Sequence, residues 1–115
     1  MDSDPVISNP DLYRVVMEND SVRVLEYRAR PGDRTTPHAH PDSVMITLSS
    51  FRRRLDGGEG RVADVELEAG GTRWLAAQEH SGENIGAMET HVIVVELRET
   101  PPGGPSVHPD ELGPR

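Results

Sequence analysis

Pro37-His38-Ala39-His40-Pro41 carries the side chains best suited to chemistry. Proline disfavours helix at its own position and at the one before it, so the segment is extended. In a strand, residues i and i+2 point to the same face, and the imidazoles of His38 and His40 therefore aim at a common point. Neutral imidazoles are good ligands for divalent transition ions, and two on one face begin a metal site. A useful site needs a third ligand. His80 is the candidate, because it follows the Gly70-Gly71 turn and a hairpin can return it to the first pair. The plainer alternative is two surface imidazoles in a proline-rich loop, with His80 as a hydrogen-bonded rim residue.

The elements that must position these residues are short strands. Leu12 to Glu18 reads as a strand, Asn19-Asp20-Ser21 as a turn, and Val22 to Arg28 as a second strand that alternates apolar and charged residues, ended by Pro31-Gly32-Asp33. Val44 to Leu48 is a short apolar run of the kind that makes a buried strand. Phe51 to Leu55 leads into an Asp56-Gly57-Gly58 hairpin signal, and Val62 to Leu67 alternates again. Thr72 to Leu75, a polar segment from Gln78 to Asn84, and the run His91-Val92-Ile93-Val94-Val95-Glu96-Leu97 complete the series. No stretch has a helical period. Strands at this spacing predict an all-β sandwich or barrel spanning residues 12–99. Residues 1–11 read as a flexible N-terminus, and 100–115, rich in proline, glycine and acid, as a flexible tail.

Composition narrows the function. The chain has 115 residues, enough for one domain with a modest core, and only 34% of them are hydrophobic. The net charge is −8, which argues against nucleic acid and against anionic lipid as partners. All 12 basic residues are arginine. There is no cysteine, so disulfides and thiolate ligands are excluded. The first residues lack the apolar core of a secretory signal and no run approaches membrane-spanning length, so the expectation is a cytoplasmic protein.

Several other residues bear on a site. Alternation places Arg53 on the face opposite Arg52 and Arg54, so this run sends at least one arginine to the interior. An inward guanidinium suits a small anionic substrate; the commoner arrangement is an exposed strand face paired with Asp64 or Glu66. Trp74 is the single tryptophan and is assigned to the core or a pocket wall. Met45 and Gln78 are assigned to the pocket lining, and Glu79, beside His80, to a general base. Asn84 reads as a structural turn amide. His91 opens a strand of unknown parity, and His108 falls in the tail.

The histidine segments resemble the cupin superfamily. Gly32, five residues, His38, Ala39 and His40 match the start of its first motif, G-x5-H-x-H-x(3,4)-E-x6-G. Gly70 and the span His80 to Asn84 match the opening glycine and the H-x3-N end of the second. The stretches 43–55 and 78–86 are similar to small single-domain bacterial cupins, and the resemblance covers roughly Leu12 to Leu97. Val44 and Met45 stand where the first motif has its glutamate, and Ala76 where the second has proline.

The resemblance implies a jelly-roll barrel, or double-stranded β-helix, with a metal held by His38, His40 and His80. The ion is Zn, Fe, Ni, Mn or Cu. Gln78, Glu79 and His91 are the candidates for a fourth ligand, and spacing does not choose among them. Losing the motif carboxylate removes a negative charge from the site and makes a bound ion the stronger Lewis acid. The expected function is a metal-dependent enzyme of oxygenase, isomerase or hydrolase type acting on a small polar or anionic metabolite. The competing expectation is a metal-free small-ligand-binding cupin. A lean domain gains core by dimerising, so a homodimer is expected, through the strands from Leu12 to Tyr27.

Overall fold

The computed structural model describes residues 4–98. The predicted tail and His108 lie outside them. Nine strands follow one helical turn: α1 Pro5–Ser8, β1 Tyr13–Glu18, β2 Val22–Ala29, β3 His38–His40, β4 Ser43–Thr47, β5 Phe51–Asp56, β6 Val62–Leu67, β7 Thr72–Leu75, β8 Gln78–Asn84 and β9 Thr90–Leu97. They form a five-stranded sheet in the order β1-β2-β9-β4-β7 and a four-stranded sheet in the order β3-β8-β5-β6. Every pairing is antiparallel. From β2 onward the chain crosses from one sheet to the other at every step except β5 to β6, which rolls the pair of sheets into a jelly roll with the inner faces enclosing the core.

Alternation decides what faces inward. On β9, Thr90, Val92, Val94 and Glu96 are buried while the residues between them are half-exposed. The apolar core is small: Tyr13, Leu25, Tyr27, Ala29, Phe51, Val92 and Val94. Burial of each large apolar side chain contributes ~1.5–3 kcal/mol. Ten polar or charged residues are buried beside them, among them His38, His40, Arg53, Asn84, Thr90 and Glu96. An interior this polar holds only if its groups are paired, and the pairing sets out the site.

Two motif glycines have a backbone reason. Gly32 (φ +89°) and Gly70 (φ +86°) sit in the left-handed region, which side-chain-bearing residues rarely adopt. The Gly32 amide donates to the Asn84 carbonyl, and the Asn84 side chain donates to the carbonyls of Ala29 and Met88. Asn84 is therefore a structural amide tying the β2–β3 turn to the end of β8.

Residues 4–11, which fall in the segment expected to be flexible, make specific contacts with the strands. Asp4 caps α1 by accepting from the Val6 amide, and Pro5 occupies the first helical turn, where its missing N–H costs nothing. Arg23 of β2 grips Asp4 at 2.8 Å, and Asn9 is buried, accepting from the Thr36 amide.

Candidate metal centre

His38 and His40 lie on β3, and β3 pairs with β8 so that His38 faces His80 and His40 faces Gln78. Residues paired across a ladder share a face, as do i and i+2 along a strand. All three rings therefore turn inward together. Ring centroids are 4.9 Å apart for His38–His40 and His38–His80, and 5.4 Å for His40–His80. One ligand nitrogen from each lies within 4.8 Å of the others.

The hydrogen bonds settle which nitrogen each ring offers. His38 Nδ1 donates to the Thr36 carbonyl at 2.7 Å. His40 Nδ1 donates to the Glu96 carboxylate at 2.7 Å. His80 Nδ1 donates to the Gln78 side-chain oxygen at 3.2 Å. With Nδ1 carrying the proton, each Nε2 is left as a lone-pair donor, the arrangement that metal-binding histidines adopt. The donor set fits a divalent transition ion with positions left for water or substrate.

Electrostatics point the same way. Burial, opposed by the bond to Thr36, holds the pKa of His38 down at about 4. Burial, together with the charges of His38, His40 and Arg53, holds His80 at about 3. Both rings are neutral near pH 7, as ligation requires. Burial alone would raise the carboxyl of Glu96; the bonds from His40 and Arg23, with the charge of Arg23, outweigh it and keep the group ionised.

Sequence reasoning missed two residues here. Glu96, 2% exposed, bridges His40 to Arg23, which binds it at 2.7 Å. Its signal was a lone acid in phase with Val92 and Val94 on the inward face of β9. Tyr13 is the other. Its hydroxyl lies 3.3 Å from Nε2 of both His38 and His40. Burial, with help from neighbouring Tyr27, raises its pKa and keeps it a neutral hydroxyl that donates to one nitrogen at a time.

The remaining expected residues divide. Met45, Gln78 and Arg53 line a cavity of about 130 Å³ with His40, His80 and both tyrosines. Trp74 does not: it pairs with Val44 on the outer face and is 56% exposed, because the inward residues of β7 are Arg73 and Leu75. Glu79 also faces away. It is exposed, neighbours inward His80 along β8, and pairs with Ala39, so alternation turns it outward, away from the three rings. His91 stands on the outer wall, its Nε2 2.7 Å from Glu26. The exposed pairing expected for the arginine run falls to Arg54, which binds Asp64 at 2.8 Å. A larger, open hollow of about 620 Å³ between α1 and the β2–β3 loop holds no histidine.

No protein-family model matches the sequence, and no curated protein is similar to it. Solved structures are similar. A cupin domain from Bordetella pertussis Tohama I superposes with a TM-score of 0.71 at 26% identity, over 76% of this chain and 93% of that one. This chain has the fold of a small cupin. An uncharacterised conserved protein with a double-stranded β-helix domain from Klebsiella pneumoniae follows at 0.60 and 25% identity, over 75% of the cupin described here and 70% of its own length. An RmlC-like cupin from Methanocaldococcus jannaschii shares the fold at 0.61 and 11% identity, over 76% and 79% of the two chains. Against that background the three inward imidazoles of this cupin stand without the motif carboxylate, whose region is occupied by Val44 and Met45.

Proposed function

We propose that this cupin holds one divalent transition-metal ion through Nε2 of His38, His40 and His80 and uses it on a small polar or anionic metabolite in the adjoining cavity. The observation that carries the reading is the committed Nδ1 of all three rings, which leaves Nε2 of each as a lone-pair donor in a cluster whose ligand atoms lie within 4.8 Å of one another. A bound ion would act as a Lewis acid or activate water or dioxygen. The chain's own groups do the rest. Glu96 and Thr36 fix the tautomers, Gln78 orients His80, and the Tyr13 hydroxyl holds a proton beside the ligand nitrogens. Met45, Gln78 and Arg53 contact the metabolite. Oxygenase, isomerase and hydrolase chemistry are all compatible with this donor set.

Metal analysis of protein purified without chelator tests the proposal. About one equivalent of Zn, Fe, Ni, Mn or Cu per chain, lost in His38→Ala, is the expected result. One observation favours a second reading, a metal-free binding module: the Tyr13 hydroxyl lies within hydrogen-bond reach of two of the three Nε2 atoms and donates to one of them at a time. Protein that stays metal-free after growth in supplemented medium would establish that module instead. The reading further takes residues 12–99 as the cupin domain of a cytoplasmic homodimer. β1 supports the dimer, since it ends its sheet with Val16 and Met17 exposed; light scattering on the purified protein gives the answer.

A further inference from the structure

The charge pattern of the cavity runs against that of the chain. The protein carries a net charge of −8, yet among the described residues no aspartate or glutamate lines the cavity, whereas Arg53 and Arg73 both do. Arg53 is the buried one, 8% exposed. Its Nη1 donates to the Tyr27 hydroxyl at 2.7 Å, and its guanidinium carbon lies 4.9 Å from the centre of the Tyr27 ring. Gly82 makes room on the other side, where any Cβ would collide with Nη2. The partners are all neutral. Among the described residues no carboxylate lies within 4.0 Å of this guanidinium, although its neighbour Arg54 has one. Arginine does not give up its proton at working pH, and a buried cation without a counter-ion is strongly unfavourable. The Tyr27 bond uses one of five N–H donors.

We propose that the ligand of this cavity is a small carboxylic acid with a short apolar body, its carboxylate seated on Arg53. The planar guanidinium matches a carboxylate fork to fork. Phe51, Leu55 and Val92 supply apolar walls for the body. The volume, about 130 Å³, is far below the ~300–1,000 Å³ of sites for drug-sized ligands, which limits the acid to a few carbons. The two lining arginines favour an anion inside this hollow in spite of the negative charge that the protein carries as a whole. The inference deepens the function proposed above by naming the substrate class, and it depends on that reading for the place but not for the metal.

Calorimetric titration with isovalerate and its neutral amide, isovaleramide, tests it on chelator-treated and zinc-loaded protein. Isovalerate should bind both forms at least tenfold more tightly than the amide. Arg53→Met should abolish that preference, and Arg54→Met, on the outer face, should keep it. Equal binding of acid and amide by the wild type, or a preference that survives Arg53→Met, overturns the proposal. Should Arg53→Met fail to fold, the wild-type contrast decides, supported by side-chain NMR. A shift of a protected arginine Nε–Hε signal on adding isovalerate supports the seat, and no shift in any such signal refutes it. Failure to bind zinc would sink the metal reading and leave the chelator-treated titration to decide this one. Isovalerate binding seen only with zinc and unchanged in Arg53→Met would make the acid a metal ligand and sink this one alone.

Discussion

Glu96→Gln isolates the carboxylate that tunes the metal centre. The glutamate accepts from His40 Nδ1 at 2.7 Å on one oxygen and from Arg23 on the other, so both sides of the carboxyl face N–H donors. Glutamine keeps the shape but offers one acceptor and one NH₂ group. Whichever way the amide turns, one donor meets another donor. If the amide oxygen stays on Arg23, His40 loses the partner that fixes its tautomer and raises its basicity. Loss of such an outer partner typically lowers metal affinity 10–100-fold, or about 1.4–2.7 kcal/mol. The broken bond to a charged group should also cost ~1.5–3 kcal/mol of stability, which a domain of ~5–15 kcal/mol survives. Zinc affinity measured against a chromophoric chelator, with urea unfolding in parallel, reads both quantities. A folded Glu96→Gln protein whose zinc affinity stays within twofold of wild type would refute the assignment of Glu96 as the group that orients His40.

Three further perturbations follow from the same geometry. Thr90, 1% exposed, holds a side-chain oxygen with no hydrogen-bond partner among the described residues; Thr90→Val removes that burden and should stabilise the protein by about 1 kcal/mol in urea unfolding, whereas a loss of stability would show the hydroxyl to be satisfied. The folded pKa values of His38 and His80, about 4 and about 3, lie below the 6.5 of an unperturbed imidazole. The unfolded chain therefore takes up protons that the folded chain refuses, so stability falls as pH drops from about 6.5 towards 4, by at most ~1.4 kcal/mol per pH unit for each ring; a flat stability profile across that window would contradict the buried neutral cluster. Gly82→Ala drives a methyl into the Arg53 guanidinium and should weaken the preference for isovalerate over its amide at least tenfold while leaving zinc affinity unchanged.

The strands were legible because alternation or a short apolar run marks most of them and turn residues separate them. All nine fall within a residue or two of their expected limits. The exception is α1, a single turn from Pro5 to Ser8, too short to show any period; its stability comes from the Asp4 cap and from Arg23, a partner 19 residues away. The histidines were legible for the same reason as the strands, since spacing of two fixes a common face. Parity explains the errors as well. β7 has only four residues, so nothing in the sequence says whether Trp74 or its neighbours face inward; pairing of Arg73 with inward Met45 decides it. Glu79 sits beside His80, and nearness in sequence along a strand means opposite faces. Tyr13 and Glu96 reach His40 from positions 27 and 56 residues away, and only the closure of the barrel brings them there.

The chain of contacts from Asp4 through Arg23 and Glu96 to His40 has a practical corollary for anyone handling this molecule. The opening helical turn holds the far end of a chain of ion pairs whose other end is bonded to the His40 imidazole. A purification tag or fusion partner attached just ahead of residue 4 would tug on that linkage. Affinities measured on such protein would report the handle as much as the site.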